Sequence, residues 1–181
     1  LYPMGDYVPT GGMKCKVSSW TRVEDNAIPA RAKIHGAYVN TAFAKTEALD
    51  EGYDEALVMD KNGHIVEGSA ENFFMVRDGK IITPPPSANI LEGITRKSVM
   101  QIADDLGYEV VERDIDRTEV YFADEVFLSG TGAKVSPVVQ VDSYQISDGK
   151  TGKISKAIQD KYFSIVKGGD KKYADWLEAV Y

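Results

Sequence analysis

The sequence predicts a mixed α/β domain, on three observations. Short apolar runs bounded by turn dipeptides, Asn62-Gly63 and Asp78-Gly79 among them, read as hairpin strands. Longer stretches after Lys33, after Gly93 and from Ile154 repeat apolar residues at helical spacing. The two kinds of segment do not alternate regularly, which disfavours a doubly wound parallel sheet.

Taken in order, residues 1–12 are rich in Pro and Gly and read as a linker, leaving 13–181 as the body. A strand is expected over 13–20 and a loop over 21–31. A helix follows Lys33 to about Leu49, with Ile34, Tyr38 and Ala42 at four-residue spacing and Val39 and Phe43 beside them. Strands over 55–59 and 64–67 flank Asn62-Gly63, and strands over 72–76 and 80–83 flank Asp78-Gly79. Pro84-Pro85-Pro86 ends the last of these, because proline cannot donate to a ladder. A helix opens at Gly93, carries Val99, Ile102, Ala103 and Leu106, and stops at Gly107. Strands over 108–111, 125–129 and 135–141 follow, with a short helix at 118–122 and a polar loop at 142–153. The last helix shows Ile154, Ile158, Tyr162 and Ile165 on one face, and Trp176, Leu177 and Val180 are expected to pin the end of the chain.

Bulk composition narrows the function. A net charge of -7 with scattered lysines disfavours a nucleic-acid partner, which needs a basic face. One cysteine permits no internal disulfide and, with two histidines, gives little material for a zinc site. No apolar run approaches a membrane span. The expectation is a cytoplasmic protein.

Four polar spots carry candidate chemistry. Lys33 lies among small and apolar residues, Ala32, Ile34 and Gly36, and reads as a reactive amine or as an ordinary surface lysine. Glu67 and Glu71, four apart at a strand exit, read as an acid/base pair, a single electrostatic partner or two solvated loop residues. Gly93-Ile94-Thr95 offers free N–H groups and a hydroxyl at a helix start, an anion site or a plain helix cap. Ser129-Gly130-Thr131-Gly132-Ala133 is an anion nest or a tight turn, and not a nucleotide P-loop. Together they describe a ligand with a phosphate, a cationic ring nitrogen and an aldehyde, and pyridoxal 5'-phosphate meets that description.

Four motifs in fixed order carry a resemblance across nearly the whole chain: Lys33-x-x-Gly36-x-Tyr38, Glu67-Gly68-Ser69-Ala70-Glu71-Asn72, Leu91-Glu92-Gly93-Ile94-Thr95-Arg96, and Ala123-Asp124-Glu125-Val126-Phe127-Leu128-Ser129-Gly130-Thr131. The chain resembles the class IV, fold type IV aminotransferases. Ser18-Ser19-Trp20 and the ending around Trp176-Leu177 are most similar to the branched-chain-amino-acid members; D-amino-acid aminotransferases and aminodeoxychorismate lyases share the scaffold. A cofactor-binding fragment without turnover is the reading of another class.

The resemblance implies an α/β pseudo-barrel with flanking helices, in which 1–12 is an interdomain linker and 13–181 the large cofactor-binding domain. It implies Lys33 as the Schiff-base lysine and proton carrier, Glu67 facing the pyridine nitrogen and Tyr38 on the phenolic oxygen. It places Leu91 on the ring face and Ile94, Thr95 and Thr131 on the phosphate. Thr131, Gly132 and Ala133 would offer N–H groups to the substrate carboxylate, with Glu71 behind the groups that touch the cofactor. The substrates would be branched-chain amino acids and 2-oxo acids, and the assembly a homo-oligomer, dimer-based. The family's smaller N-terminal domain has no counterpart in these residues, and position 37 is Ala where many relatives have Asn.

Overall fold

The computed structural model describes residues 7–178. The strands are β1 (Met13–Thr21), β2 (Glu55–Met59), β3 (Ile65–Gly68), β4 (Asn72–Arg77), β5 (Lys80–Thr83), β6 (Val110–Glu112), β7 (Glu125–Gly130), β8 (Lys134–Val141) and β9 (Tyr144–Gln145). The helices are α1 (Ala37–Asp50), α2 (Ile94–Asp105), α3 (Arg117–Val120) and α4 (Lys153–Val166).

All the strands belong to one sheet, in the order β3-β2-β1-β8-β7-β4-β5-β6, with β9 beside β8. A further pairing of β3 with β4 joins the path back on itself, so β1, β2, β3, β4, β7 and β8 form a six-stranded barrel. The closing pair is Glu67↔Asn72. The edge of β4 that meets β3 at Asn72 pairs farther along with β5, through Met75, Val76 and Arg77. The parallel pairs β1–β2 and β5–β6 are each bridged by a helix, α1 and α2 respectively. The barrel expectation holds, and the sheet is mixed.

Period-two alternation builds the core on both faces of the sheet. Phe73 and Met75 join Leu57, Ile65, Val126 and Leu128 in a cluster drawn from all six barrel strands, which places it inside the ring. Their neighbours Phe74 and Val76 face outward with Phe127, onto Val99 and Ile102 of α2 and Ile158 and Ile165 of α4. Because both faces are covered, the strands read as continuous apolar runs rather than alternating ones. Phe74 stacks on Phe127 with ring centroids 4.9 Å apart.

Two expectations need correction. The helix face read from Tyr38, Val39 and Phe43 is not the one α1 buries. Ala37, Thr41, Ala44 and Ala48 face the body, while Val39 and Phe43 are 59% and 52% exposed. Small residues let α1 lie close on β1 and β2, and Phe43 stacks instead on Trp20 at 4.9 Å. At the other end Trp176 and Leu177 are 44% and 39% exposed, and the buried anchor is Tyr173, against whose ring Trp176 packs edge-on at 4.7 Å. Val180 lies outside the described residues. Of the stretch read as a linker, Val8 is buried in the barrel core, and Gln159 Nε2 donates to the Thr10 carbonyl at 2.9 Å. Among the described residues no helix is long and apolar enough to cross a membrane.

Candidate active site

The barrel closes where the chemistry collects. β3 ends at Glu67 and Gly68, a two-residue turn passes Ser69 and Ala70, and β4 begins at Asn72. Gly68 N–H donates to the Glu71 carbonyl at 2.7 Å, closing the turn. Glu71 folds over Gly68 so closely that a Cβ there would lie 2.5 Å from Glu71 Oε2. Both acids are buried, which rules out the solvated-loop reading.

Glu67 is held on three sides. Its Oε1 accepts from Leu91 N–H at 2.7 Å and from Asn72 Nδ2 at 3.1 Å. Its Oε2 lies 3.3 Å from Arg22 Nη2. Burial pushes the carboxyl up to about 7, against the lowering pull of Arg22, the Leu91 N–H, Lys33 and Arg96. Asn72 Nδ2 also donates to the Leu91 carbonyl at 2.7 Å, and a Cβ on Gly93 would overlap the Asn72 side-chain oxygen. One asparagine therefore ties Glu67 to the loop that begins α2.

α2 starts at Ile94 behind Gly93, and no side chain caps that end. Thr95 is buried on its first turn, whereas Ile94 is 84% exposed. Open N–H groups beside a hydroxyl suit an anion.

Lys33 follows a 3-10 turn, Ala30–Ala32, in a left-handed backbone conformation (φ 50°). It precedes α1 by a turn, and its Nζ lies 3.1 Å from Tyr38 Oη on the first turn of that helix. The apolar setting expected around it is not there: Lys33 is exposed, and Ile34 is 42% exposed.

Lys33, Tyr38, Glu67, Leu91, Ile94, Thr95 and Thr131 line one cavity of about 250 Å³. Glu71 lines it too, so this acid stands in the wall rather than behind it. Its Oε2 accepts from Ala70 N–H at 3.0 Å, and its Oε1 has no hydrogen-bond partner among the described residues. Burial, then the nearby Glu55, pushes it up to about 8. Ser129 Oγ, also on the lining, is likewise buried and unpartnered.

Gly132 and Ala133 are not on that lining. Neither Gly130 nor Gly132 has a positive φ; Lys134 takes the left-handed position (φ 62°). The glycines serve close approach instead: a Cβ on Gly132 would meet the Tyr7 ring at 3.3 Å, and one on Gly130 the Ala70 carbonyl at 3.4 Å. Arg22 and Asn72 carried no role in the sequence reading. Asn72 sits inside a quoted motif and could have been singled out there, but Arg22 has no local signal.

The set fits pyridoxal phosphate. An amine and a phenol stand together, a buried carboxylate backed by donors suits a ring N–H, and an uncapped helix start suits a phosphate. The family model for amino-transferase class IV matches residues 2–141, so the chain belongs to that family.

A probable branched-chain-amino-acid aminotransferase from Aquifex aeolicus is 51% identical over 183 residues, covering 100% of this chain and 59% of that protein. The chain thus spans less than two thirds of that relative's length. The crystal structure of a branched-chain aminotransferase from Thermoproteus uzoniensis with norvaline superposes with a TM-score of 0.95 at 43% identity, covering 99% of this chain and 60% of the other. The crystal structure of a branched-chain amino acid aminotransferase from Thermobaculum terrenum, in its PLP-bound holo form, gives 0.90 at 41% identity, over 92% and 55%.

Proposed function

We propose that this chain is the cofactor-binding part of a branched-chain aminotransferase, moving an amino group between leucine, isoleucine or valine and 2-oxoglutarate with pyridoxal phosphate. The observation that carries the reading is the single cavity shared by Lys33, Tyr38, Glu67, Leu91, Ile94, Thr95 and Thr131. The bound cofactor supplies a carbonyl that takes up the amino group and a conjugated ring that spreads the charge left by the departing α-proton.

The chain's residues then have distinct tasks. Lys33 Nζ would hold the cofactor through its carbonyl and would be the base that takes up and returns the substrate's α-proton. Tyr38 Oη, 3.1 Å away, positions that nitrogen and reaches the cofactor's phenolic oxygen. Glu67 holds a proton on the ring nitrogen. Ile94 N–H, Thr95 N–H and Oγ1, and Thr131 grip the phosphate, and Leu91 covers one ring face. Thr131, which lines the cavity, and the Gly132 and Ala133 that follow it would offer N–H groups to the substrate carboxylate. The net charge of -7 with scattered lysines supports small-molecule partners rather than nucleic acid. A cytoplasmic homo-oligomer without membrane attachment completes the proposal; the single cysteine, free and buried, is in keeping with a reducing compartment.

The test is a visible absorbance scan with cofactor, followed by borohydride reduction and peptide mass mapping. Wild type is expected to absorb in the visible and carry the reduced label on Lys33; Lys33→Ala is expected to do neither. A colourless wild type with excess cofactor overturns the reading. Amino-donor profiling separates the relatives on this fold: acceptance of alanine only in its D form would overturn the branched-chain assignment.

A further inference from the structure

We propose that Arg22 is a positioning residue whose permanent charge, fixed against Glu67, drives the proton shared by that carboxylate and the ring nitrogen onto the ring. This rests on the reading of the cavity given above and deepens it.

Arg22 follows β1 directly and is 8% exposed. It is anchored independently of the carboxylate. Its N–H donates to the Met59 carbonyl at 2.7 Å, and its Nε donates to the Asn89 carbonyl at 3.2 Å. Those bonds set Nη2 3.3 Å from Glu67 Oε2, with both side chains buried.

A buried carboxyl facing a basic ring nitrogen has two ways to hold one proton. With the proton on the carboxyl, the ring is neutral and a poor electron sink. With the proton on the ring, the carboxylate is ionised and the ring draws electrons. Burial favours the neutral pair, and without cofactor it raises Glu67 to about 7. A cation touching the carboxylate repels a proton there more strongly than one displaced across the carboxylate to the ring. In a site of low polarity that difference is large.

The other charges facing Glu67 are less suited to this task. Lys33 takes part in the covalent chemistry and cannot stay a fixed charge. Arg96 donates to the Pro84 carbonyl at 3.0 Å and is paired with Glu112. Glu71 is an acid and acts in the opposite sense. Arg22 cannot lose its proton at any working pH.

The test compares wild type with Arg22→Met, Arg22→Gln and Arg22→Lys, each loaded with cofactor labelled at the ring nitrogen. Nitrogen NMR near neutral pH reads pyridinium against pyridine directly, without turnover. Borohydride trapping on Lys33 confirms that each variant is loaded. Gln keeps a donor for the Asn89 carbonyl and removes only charge, so it decides the matter if Met fails to fold.

Wild type and Arg22→Lys are expected to show pyridinium. The Gln and Met variants are expected to shift the proton's partition toward pyridine by about tenfold or more, the one-unit effect of a contacting charge. A wild-type nitrogen signal in Arg22→Gln overturns the proposal, as does a pyridine signal in Arg22→Lys equal to that of Gln. Failure of wild type to carry the label on Lys33 would instead overturn the cofactor assignment itself.

Discussion

The exit of β3 and the entry to β4 each carry a buried acid, and the two are treated differently. Glu67 is gripped by a backbone N–H, an amide and a guanidinium. Glu71 receives one N–H on one oxygen and, among the described residues, no hydrogen bond on the other, with Glu55 adding repulsion. Both are desolvated, yet the first rises only to about 7 and the second to about 8. Burial thus pushes both carboxyls toward the neutral form. The surrounding donors and cations decide whether either can be made to ionise when a cationic partner arrives.

Three substitutions break or sharpen that contrast. The largest effect is expected from Glu67→Gln, which keeps the shape and loses the charge. Its turnover should fall by about 10²–10³, as when a preorganised electrostatic partner is removed. Steady-state kinetics check this, and a loss of less than about tenfold would refute the role. Next is Asn72→Leu, which strips a donor from both Glu67 Oε1 and the Leu91 carbonyl. Each acceptor keeps a backbone donor, Leu91 N–H on the carboxyl and Gly93 N–H on the carbonyl, so losing the two side-chain bonds should cost about 1–3 kcal/mol in thermal or urea unfolding.

The smallest effect is expected from Glu71→Gln. A carboxyl raised from 4.5 to about 8 stays protonated in the fold while the unfolded chain ionises, so its contribution is full below 4.5 and is lost as pH climbs to about 8. The cofactor-free protein should therefore lose stability over that window. The variant should flatten the slope and gain about 1 kcal/mol at its upper end, the relief from ionisation less the cost of the amide's own unpaired groups. Melting curves across pH decide it, and an unchanged slope counts against the assignment.

Much of this was legible where local chemistry is decisive. Asn62-Gly63 and Asp78-Gly79 announced their hairpins, Gly107 announced the end of α2, and motif order brought the cavity residues together. The burial of α1 was not legible, because Ala44 and Ala48 carry little hydrophobic signal and owe their place to close packing rather than to bulk. The short β9 lay hidden in a polar loop, since pairing with β8 supplies what its own sequence lacks. Arg22 was missed because its meaning comes only from long-range neighbours: Asn89 lies 67 positions away, beyond the reach of any local pattern.

The ring of strands has a consequence for how the protein is made. β1 needs β8 as its second neighbour, pairing Met13 with Val138, so a growing chain leaving the ribosome carries an unzipped sheet until β8 has emerged. Pairings this far apart in sequence form slowly, because the intervening chain must first surrender its freedom. During that interval the flank of β1 carries unpaired backbone groups, an open template for stray strands.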